Sequence, residues 1–170
     1  MSAGPGRRLV VGVGNPDAGD DAAGRLVARR LRSRRGQELA EQTVVCECSG
    51  EPTALMAAWE GFDDVVLVDA CSGGGPPGRI LRFEAPQLEQ LASLQPRQRS
   101  THGFGVCMAV ALARALGAAP ANIVVYAIEG LTFQAGARVS PEVERAAEEL
   151  AGLLSAPRRP PATAAAQTAT

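Results

Sequence analysis

Residues 64–70 read DVVLVDA, and this apolar stretch decides the fold class. Four consecutive aliphatic residues, 65–68, are typical of a strand covered on both faces, as in a parallel sheet between two layers of helices. An acid, Asp69, follows the run at the end of the strand. In a parallel α/β fold, ligands usually bind at this carboxyl edge of the sheet. The stretch therefore predicts both a buried central strand and a polar group at the ligand-binding edge.

Strand and helix patterns alternate on both sides of this stretch. Further strands are predicted at 9–13, 43–48, 79–84 and 123–128, and helices at 20–34, 51–61, 101–116 and 140–154, with a short helix or turn at 86–94. This alternation predicts a three-layer α/β/α sandwich with a mixed, mostly parallel sheet of about five strands. The short connection between strands 64–70 and 79–84 suits an antiparallel neighbour.

Length and composition limit the domain organisation and the partners. The chain has 170 residues, which suggests one domain. We expect a flexible arm at 1–7, a single α/β catalytic domain at 8–155 and a disordered Pro/Ala/Thr tail at 156–170. The net charge is −1 and no face is strongly basic, so nucleic acid and anionic membranes are poor partners. All 17 basic residues are arginines, which excludes Schiff-base chemistry and a phosphate-binding lysine.

The sequence also predicts the compartment and the oligomeric state. No run of about 20 apolar residues could span a bilayer, and the N-terminus has no apolar signal segment. The four cysteines form no Cys-x-x-Cys pair. We therefore expect a soluble cytoplasmic protein with reduced thiols. Since no oligomerisation seam is visible, we expect a monomer.

Three side chains suited to metal binding are predicted near the same edge of the sheet. Asp21 lies in the first turn of a helix, after the Gly-rich turn 12–16, and Asp69 ends its strand. His102, the one histidine, opens a later helix. There the helix dipole disfavours the imidazolium, so a neutral imidazole is available as a ligand. Two carboxylates and one imidazole converging at this edge predict an open, three-ligand metal site.

Each of these residues also has a purely structural interpretation. Asp20 is a plausible helix N-cap, and the ligand assignment could fall on Asp20 instead of Asp21. Asp69 could cap or brace the neighbouring loop, and His102 could be a partly exposed polar residue near an N-cap. Glu129, at the end of the last strand, could brace a loop, contact substrate or act as a fourth acid.

Other chemistries fit the sequence less well. The string GVG at 12–14 lacks the third glycine of the dinucleotide fingerprint, because Asp17 stands at that position. Acids at this helix start would also oppose a pyrophosphate. Ser100 and Thr101 adjoin His102, but adjacent residues in one helical turn rarely present Ser/His geometry, and no Gly-x-Ser-x-Gly elbow exists.

Several strings, in order along residues 8–154, resemble the [NiFe] hydrogenase maturation endopeptidases. They are GVGNP at 12–16 with GDDAAG at 19–24, VDA at 68–70 with PG at 77–78, STHG at 100–103, IE at 128–129 and VSPEV at 139–143. Each string alone is weakly specific, whereas their shared order is more specific. The chain differs from some relatives at the first ligand position, where they have Glu and this sequence has Asp.

The resemblance implies a nickel-dependent endopeptidase. Such an enzyme removes a short C-terminal extension from a hydrogenase large-subunit precursor after nickel has been inserted. The family's metal-contacting and catalytic residues map onto Asp21, Asp69 and His102. The nickel would be supplied by the substrate precursor, and another divalent metal is also compatible with these ligands.

Two other functions remain open from the sequence. The chain could be a non-cleaving, metal-dependent binding or chaperone module for a nickel-loaded partner, which would need the same three ligands. A weaker alternative is a small-molecule α/β hydrolase or nucleotide binder. The appearance of a cleaved product separates the first alternative from the endopeptidase.

Overall fold

The computed structural model describes residues 7–34, 42–84, 86–88, 90 and 101–156, without the side chains of residues 101–104. The strands are β1 (Arg8–Val13), β2 (Thr43–Cys48), β3 (Asp64–Cys71), β4 (Ile80–Glu84) and β5 (Asn122–Glu129). The longer helices are α1 (Ala23–Ser33), α2 (Pro52–Trp59), α3 (Thr101–Ala115) and α4 (Pro141–Ser155), and a 3-10 turn, Gly19–Ala22, precedes α1.

The strands form one mixed sheet in the order β2-β1-β3-β5-β4. All neighbours are parallel except β4, which is antiparallel to β5. The predicted mixed, mostly parallel five-stranded sheet is confirmed. The expectation that β4 lies beside β3 is wrong, because β5 lies between them and pairs with β3 from Asp64 to Cys71. β4 instead forms an edge, where its exposed Arg82 and Glu84 are in contact with solvent.

Helices cover both faces of the sheet, so the predicted three-layer sandwich is confirmed. One core lies between the sheet and α2 and α3 and includes Leu55, Trp59 and Val110. The other lies between the sheet and α1 and α4 and includes Val27 and Leu150. The apolar run of β3 is buried throughout and supplies alternate residues to the two cores. By this alternation, Asp69 faces the same side as α3.

The helix cap predicted at Asp20 is wrong. Asp20 does not cap α1, which begins at Ala23 after the 3-10 turn. Ser140 occupies the N-cap position of α4, but its hydroxyl makes no capping bond and donates to the carboxylate of Asp20 instead. The side chains of Asp20 and Ser140 hydrogen-bond to each other across segments that are distant in sequence. This contact outweighs their local preference for capping a helix.

Some predicted segments lie outside the described residues. These are residues 1–6 of the arm, residues 157–170 of the tail, Ser100 of the STHG string and most of the helix or turn at 86–94. In the part of the chain that is described, no helix is both long and apolar enough to cross a membrane.

Gly24 lets α1 approach the sheet closely, and its replacement by alanine should destabilise the protein. A Cβ there would lie 2.1 Å from the carbonyl oxygen of Val68 and 2.4 Å from that of Val13. Since both contacts are with strand backbone, the helix must shift, and we expect a loss of about 3 kcal/mol in the free energy of unfolding. Urea unfolding measures this change.

Gly152→Ala is the matched control for this substitution. Gly152 is also helical, but its nearest contact would be the Arg34 guanidinium at 3.3 Å, the end of a long side chain. Alanine is the better helix former by about 1 kcal/mol, so this variant should be as stable as the wild type or more stable. Equal stability of the two variants would contradict the close packing of α1 on the sheet.

Candidate functional site

Asp69 is a buried carboxyl group with one oxygen left without a partner. Its exposed fraction is 2%, and Oδ1 accepts the backbone N–H of Ala70 at 2.8 Å. Oδ2 is buried and has no hydrogen-bond partner among the residues that the structure describes. Burial raises the pKa of Asp69 to about 7; the Ala70 N–H opposes this rise and the nearby charge of Asp21 adds to it. Such a group is expected at a functional site, since an unpartnered buried acid is costly to the fold.

Asp21 lies beside Asp69 and is fixed by the turn that follows β1. It is 3% exposed, and its Oδ2 accepts the backbone N–H of Asn15 at 2.8 Å. The turn is held in place by Arg25, whose Nε donates to the carbonyl oxygen of Gly14 at 2.6 Å. Gly14 has a φ of 133°, and a Cβ there would lie 1.9 Å from the carbonyl oxygen of Asp21. The glycine thus allows the turn to pack directly against Asp21.

Asp20 points away from this pair and fastens the segment between β5 and α4. It is fully buried, and its carboxylate accepts the N–H groups of Leu131 (2.7 Å), Thr132 (3.1 Å) and Ser140 (2.6 Å). The Ser140 hydroxyl donates to both of its oxygens, at 2.8 and 2.7 Å. These donors occupy both oxygens of the Asp20 carboxylate, and the assignment of Asp21 as the first ligand stays a prediction.

His102 is the second residue of α3, and its side chain lies outside the described part of the structure. Val106, four residues later on the same helix, lines a cavity together with Asp69. Among the side chains that are described, no group of three His, Cys, Asp or Glu residues could hold a metal ion. The convergence of His102 with the two carboxylates therefore stays a prediction.

Glu129 braces the glycine-rich loop that follows β3. It ends β5, is 3% exposed, and its Oε2 accepts the backbone N–H of Gly73 at 2.8 Å. A Cβ on Gly73 would lie 2.6 Å from Oε1, and one on Gly75 would lie 3.1 Å from it. Of the three roles open to Glu129 from the sequence, loop bracing is the one that these contacts support.

Beside Asp69 and Glu129 lies a cavity of about 150 Å³. It lies on the face of the sheet that α3 covers, and most of its wall is aliphatic or aromatic; the apolar residues include Leu81, Phe83, Leu88, Val106, Val125 and Ala127. The cavity is not visible in the sequence. The apolar wall residues fit an ordinary core pattern, and only their positions in three dimensions leave space between them.

Comparisons with known proteins identify the family of the chain. The family model for hydrogenase maturation proteases, HycI, matches residues 26–156, which is more than half of the chain. A search of the curated proteins gave no significant match. The match includes Asp69 and His102, and it begins after Asp21.

Solved structures with the same fold include several hydrogenase maturation enzymes. The [NiFe] hydrogenase maturation protease HycI from Thermococcus kodakarensis KOD1 is 28% identical, with a TM-score of 0.67, over 88% of this chain and 90% of that chain. The hydrogenase maturating endopeptidase HybD from E. coli is 20% identical, with a TM-score of 0.71, over 87% and 89%. The HybD protease from Thermococcus kodakarensis is 23% identical, with a TM-score of 0.69, over 86% and 95%.

The family match supplies what the fold alone does not, because structural likeness at 20–23% identity shows only the α/β architecture. It confirms the resemblance seen in the ordered strings of the sequence. It also supports an endopeptidase, rather than a non-cleaving module, as the function of the chain. The chain belongs to the hydrogenase maturation proteases, a family of hydrolases.

Proposed function

We propose that this endopeptidase removes the C-terminal extension of a [NiFe] hydrogenase large-subunit precursor, and that it requires nickel already inserted in that substrate. In this proposal Asp21, Asp69 and His102 bind the nickel of the precursor and form the catalytic site. The proposal keeps the expectations of a cytoplasmic enzyme that acts as a monomer on one precursor. The relative from Thermococcus kodakarensis is a [NiFe] hydrogenase maturation protease, and this supports the choice of substrate.

The observation that carries the proposal is the buried Oδ2 atom of Asp69. A carboxyl oxygen that is buried without a described partner would be bound favourably by a cation. The nearby charge of Asp21 increases this preference, because it disfavours a second negative charge when no cation is present. The pair therefore fits a site that is completed only when a positively charged substrate group arrives.

The donor set fits a divalent transition metal. Carboxylate oxygens and imidazole nitrogen suit several first-row metals, so the assignment to nickel comes from the family and not from these ligands. The fixed carboxylates also match what metal sites require of their surroundings. The N–H groups of Ala70 and Asn15 each hold one carboxylate oxygen and so orient Asp69 and Asp21.

The chain's own residues would act by position and charge. Nickel held at this site would supply Lewis-acid polarisation of the peptide carbonyl that is cleaved. Asp69 would bind through Oδ2, since Oδ1 is already held by Ala70, and Asp21 would place a second carboxylate beside it. Glu129 would keep the loop at 72–78 fixed against the site.

Alanine variants of the three ligands test the proposal. Three variants, Asp21→Ala, Asp69→Ala and His102→Ala, each remove one ligand of the same centre. Each should lower the rate of processing of a nickel-loaded precursor by about a thousandfold or more. Mass spectrometry of the precursor measures the loss of the C-terminal peptide. Far-UV circular dichroism shows whether each variant is folded.

Asp17→Ala is the control for these variants. Asp17 is an exposed acid in the same turn region, and its removal should leave the processing rate unchanged. Processing at the wild-type rate by a folded Asp69→Ala or His102→Ala variant would show that these residues are not part of the catalytic centre.

A further inference from the structure

The cavity beside Asp69 is partly open to solvent and is larger than the voids of an ordinary protein core. Side chains in protein cores are packed as densely as organic crystals, and voids much larger than a water molecule are few. The cavity here has a volume of about 150 Å³. Its position next to the proposed catalytic carboxylate suggests a functional origin, because binding pockets are concave, mostly apolar and close to groups with perturbed pKa values.

We propose that this cavity is a specificity subsite that receives one aliphatic side chain of the substrate, of the size of leucine, isoleucine or methionine, from a residue directly flanking the cleaved peptide bond. The inference rests on the proposed function and adds a feature of the substrate to it. Nothing in the family match or in the proposed nickel centre assigns an occupant to this cavity.

The wall of the cavity determines the chemistry of its occupant. Leu81 and Phe83 on β4, Val125 and Ala127 on β5 and Val106 on α3 surround it with apolar groups. A volume of about 150 Å³ is enough to hold a group of the bulk of benzene, which is close to that of a branched aliphatic side chain. The burial of such a side chain gains the free energy of removing its apolar surface from water.

The two acids at the cavity determine where the occupant lies along the substrate. Asp69 lines the cavity and is also a proposed ligand of the nickel centre, and Glu129 lines it next to the braced loop. Since consecutive Cα atoms are about 3.8 Å apart, a side chain entering a cavity that shares a wall with the catalytic centre must belong to a residue next to the cleaved bond. The carboxylates stand beside the backbone of that residue, and the apolar wall receives its side chain.

Ala127 offers a direct way to fill the cavity. It lies on β5 opposite Asp69 in the strand register, and its methyl group forms part of the wall. In Ala127→Leu the larger side chain should occupy the space, which leaves room only for a small substrate residue. Leu81→Ala is the converse change, because Leu81 is half-buried on the edge strand and its truncation should enlarge the cavity.

The experiment measures kcat/KM for nickel-loaded precursors in which each residue flanking the cleaved bond is Ala, Leu, Phe or Arg in turn. The nickel content of every precursor is measured first. We expect the wild type to prefer Leu over Ala at one of these positions by about tenfold or more, the size of effect that a hydrophobic pocket gives. Ala127→Leu should reverse this preference by slowing cleavage of the Leu precursor and not of the Ala precursor, and Leu81→Ala should move the preference towards Phe.

Ala115→Leu, the same change at an exposed end of α3, should keep the wild-type preference. The subsite is rejected if the wild type and a folded Ala127→Leu variant show the same substrate preference. It is also rejected if Arg is favoured over Leu at the flanking position where the identity of the residue changes kcat/KM. In both cases cleavage of the nickel-loaded precursor still supports the proposed function. If the wild type cleaves no nickel-loaded precursor, the proposed function and the subsite are rejected together.

Discussion

Asp69→Asn should melt at a higher temperature than the wild type at pH 8 and should no longer process the precursor. The gain in stability follows from the buried carboxyl group, whose pKa is raised to about 7 by burial and further by the charge of Asp21. An acid with a raised folded pKa destabilises the native state above its unfolded pKa of about 4, and the penalty grows until the pH passes the folded value. Removal of the charge removes this penalty.

The magnitude of the gain is the difference between two effects. A rise of about three pKa units corresponds to about 4 kcal/mol at pH 8. The asparagine amide would be left without a full set of partners in the same place, which costs about 1–3 kcal/mol. We therefore expect a net gain of about 2 kcal/mol in the free energy of unfolding of Asp69→Asn at pH 8. Near pH 4 the penalty has nearly vanished, and the variant should be no more stable than the wild type.

Thermal unfolding of both proteins between pH 4 and pH 8 measures this dependence. The melting temperature of the variant should exceed that of the wild type by about 4–8 °C at pH 8, and the difference should fall as the pH falls. Loss of activity together with a gain of stability marks a residue kept for function rather than for folding. A variant less stable than the wild type at pH 8 would show that the Asp69 carboxylate is satisfied in the folded protein.

Asp20→Ala should have the opposite effect on stability and should be one of the most destabilising single substitutions in the chain. Burial raises the pKa of Asp20, but hydrogen bonds from Ser140, Leu131 and Thr132 outweigh it, and the pKa lies below its ordinary value. The alanine would leave three backbone N–H groups, one buried and two partly buried, without their carboxylate. Since each unsatisfied group costs about 1–3 kcal/mol, we expect a total loss of about 4 kcal/mol or more.

Urea unfolding at pH 7 measures this loss, with two variants for comparison. Ser140→Ala removes one hydroxyl donor and leaves the backbone contacts, so it should cost about 1 kcal/mol. Asp17→Ala removes an exposed acid from the same region and should change stability by less than about 0.5 kcal/mol. An Asp20→Ala variant no less stable than Asp17→Ala would contradict the assigned role of Asp20.

The pH dependence of the Asp20 contribution has the opposite sign to that of Asp69. A carboxylate with a lowered pKa stabilises the native state above its unfolded pKa, and this stability is lost as the pH falls below about 4 and through the folded value. The difference between wild type and Asp20→Ala should therefore be full at pH 7 and should shrink below pH 4.

The sheet and its layers could be predicted from sequence because periodicity is a local signal. The run at 65–68 required burial on both faces, and the structure buries it in two cores. The position of β4 could not be predicted, because loop length does not show that β5 will insert beside β3. The roles of Asp20 and Ser140 were also missed, since the contact joins residues 120 positions apart.

The candidate site was predictable in part for the same physical reason. Residues at the carboxyl ends of parallel strands must meet at one edge, which placed Asp69 and Glu129 together in the cavity wall. Sequence alone left Asp20 and Asp21 as alternatives, because it does not show in which direction each of two adjacent side chains points. The structure accounts for the Asp20 carboxylate by its hydrogen bonds, and Asp21 as the ligand stays a prediction.

The most direct test of the account is mass spectrometry of a [NiFe] hydrogenase large-subunit precursor incubated with this protein, with and without inserted nickel. We expect a C-terminal peptide to be released from the nickel-loaded precursor and the nickel-free precursor to stay intact. Equal cleavage of both forms, or a loaded precursor that forms a stable complex but is never cut, would contradict a nickel-dependent endopeptidase.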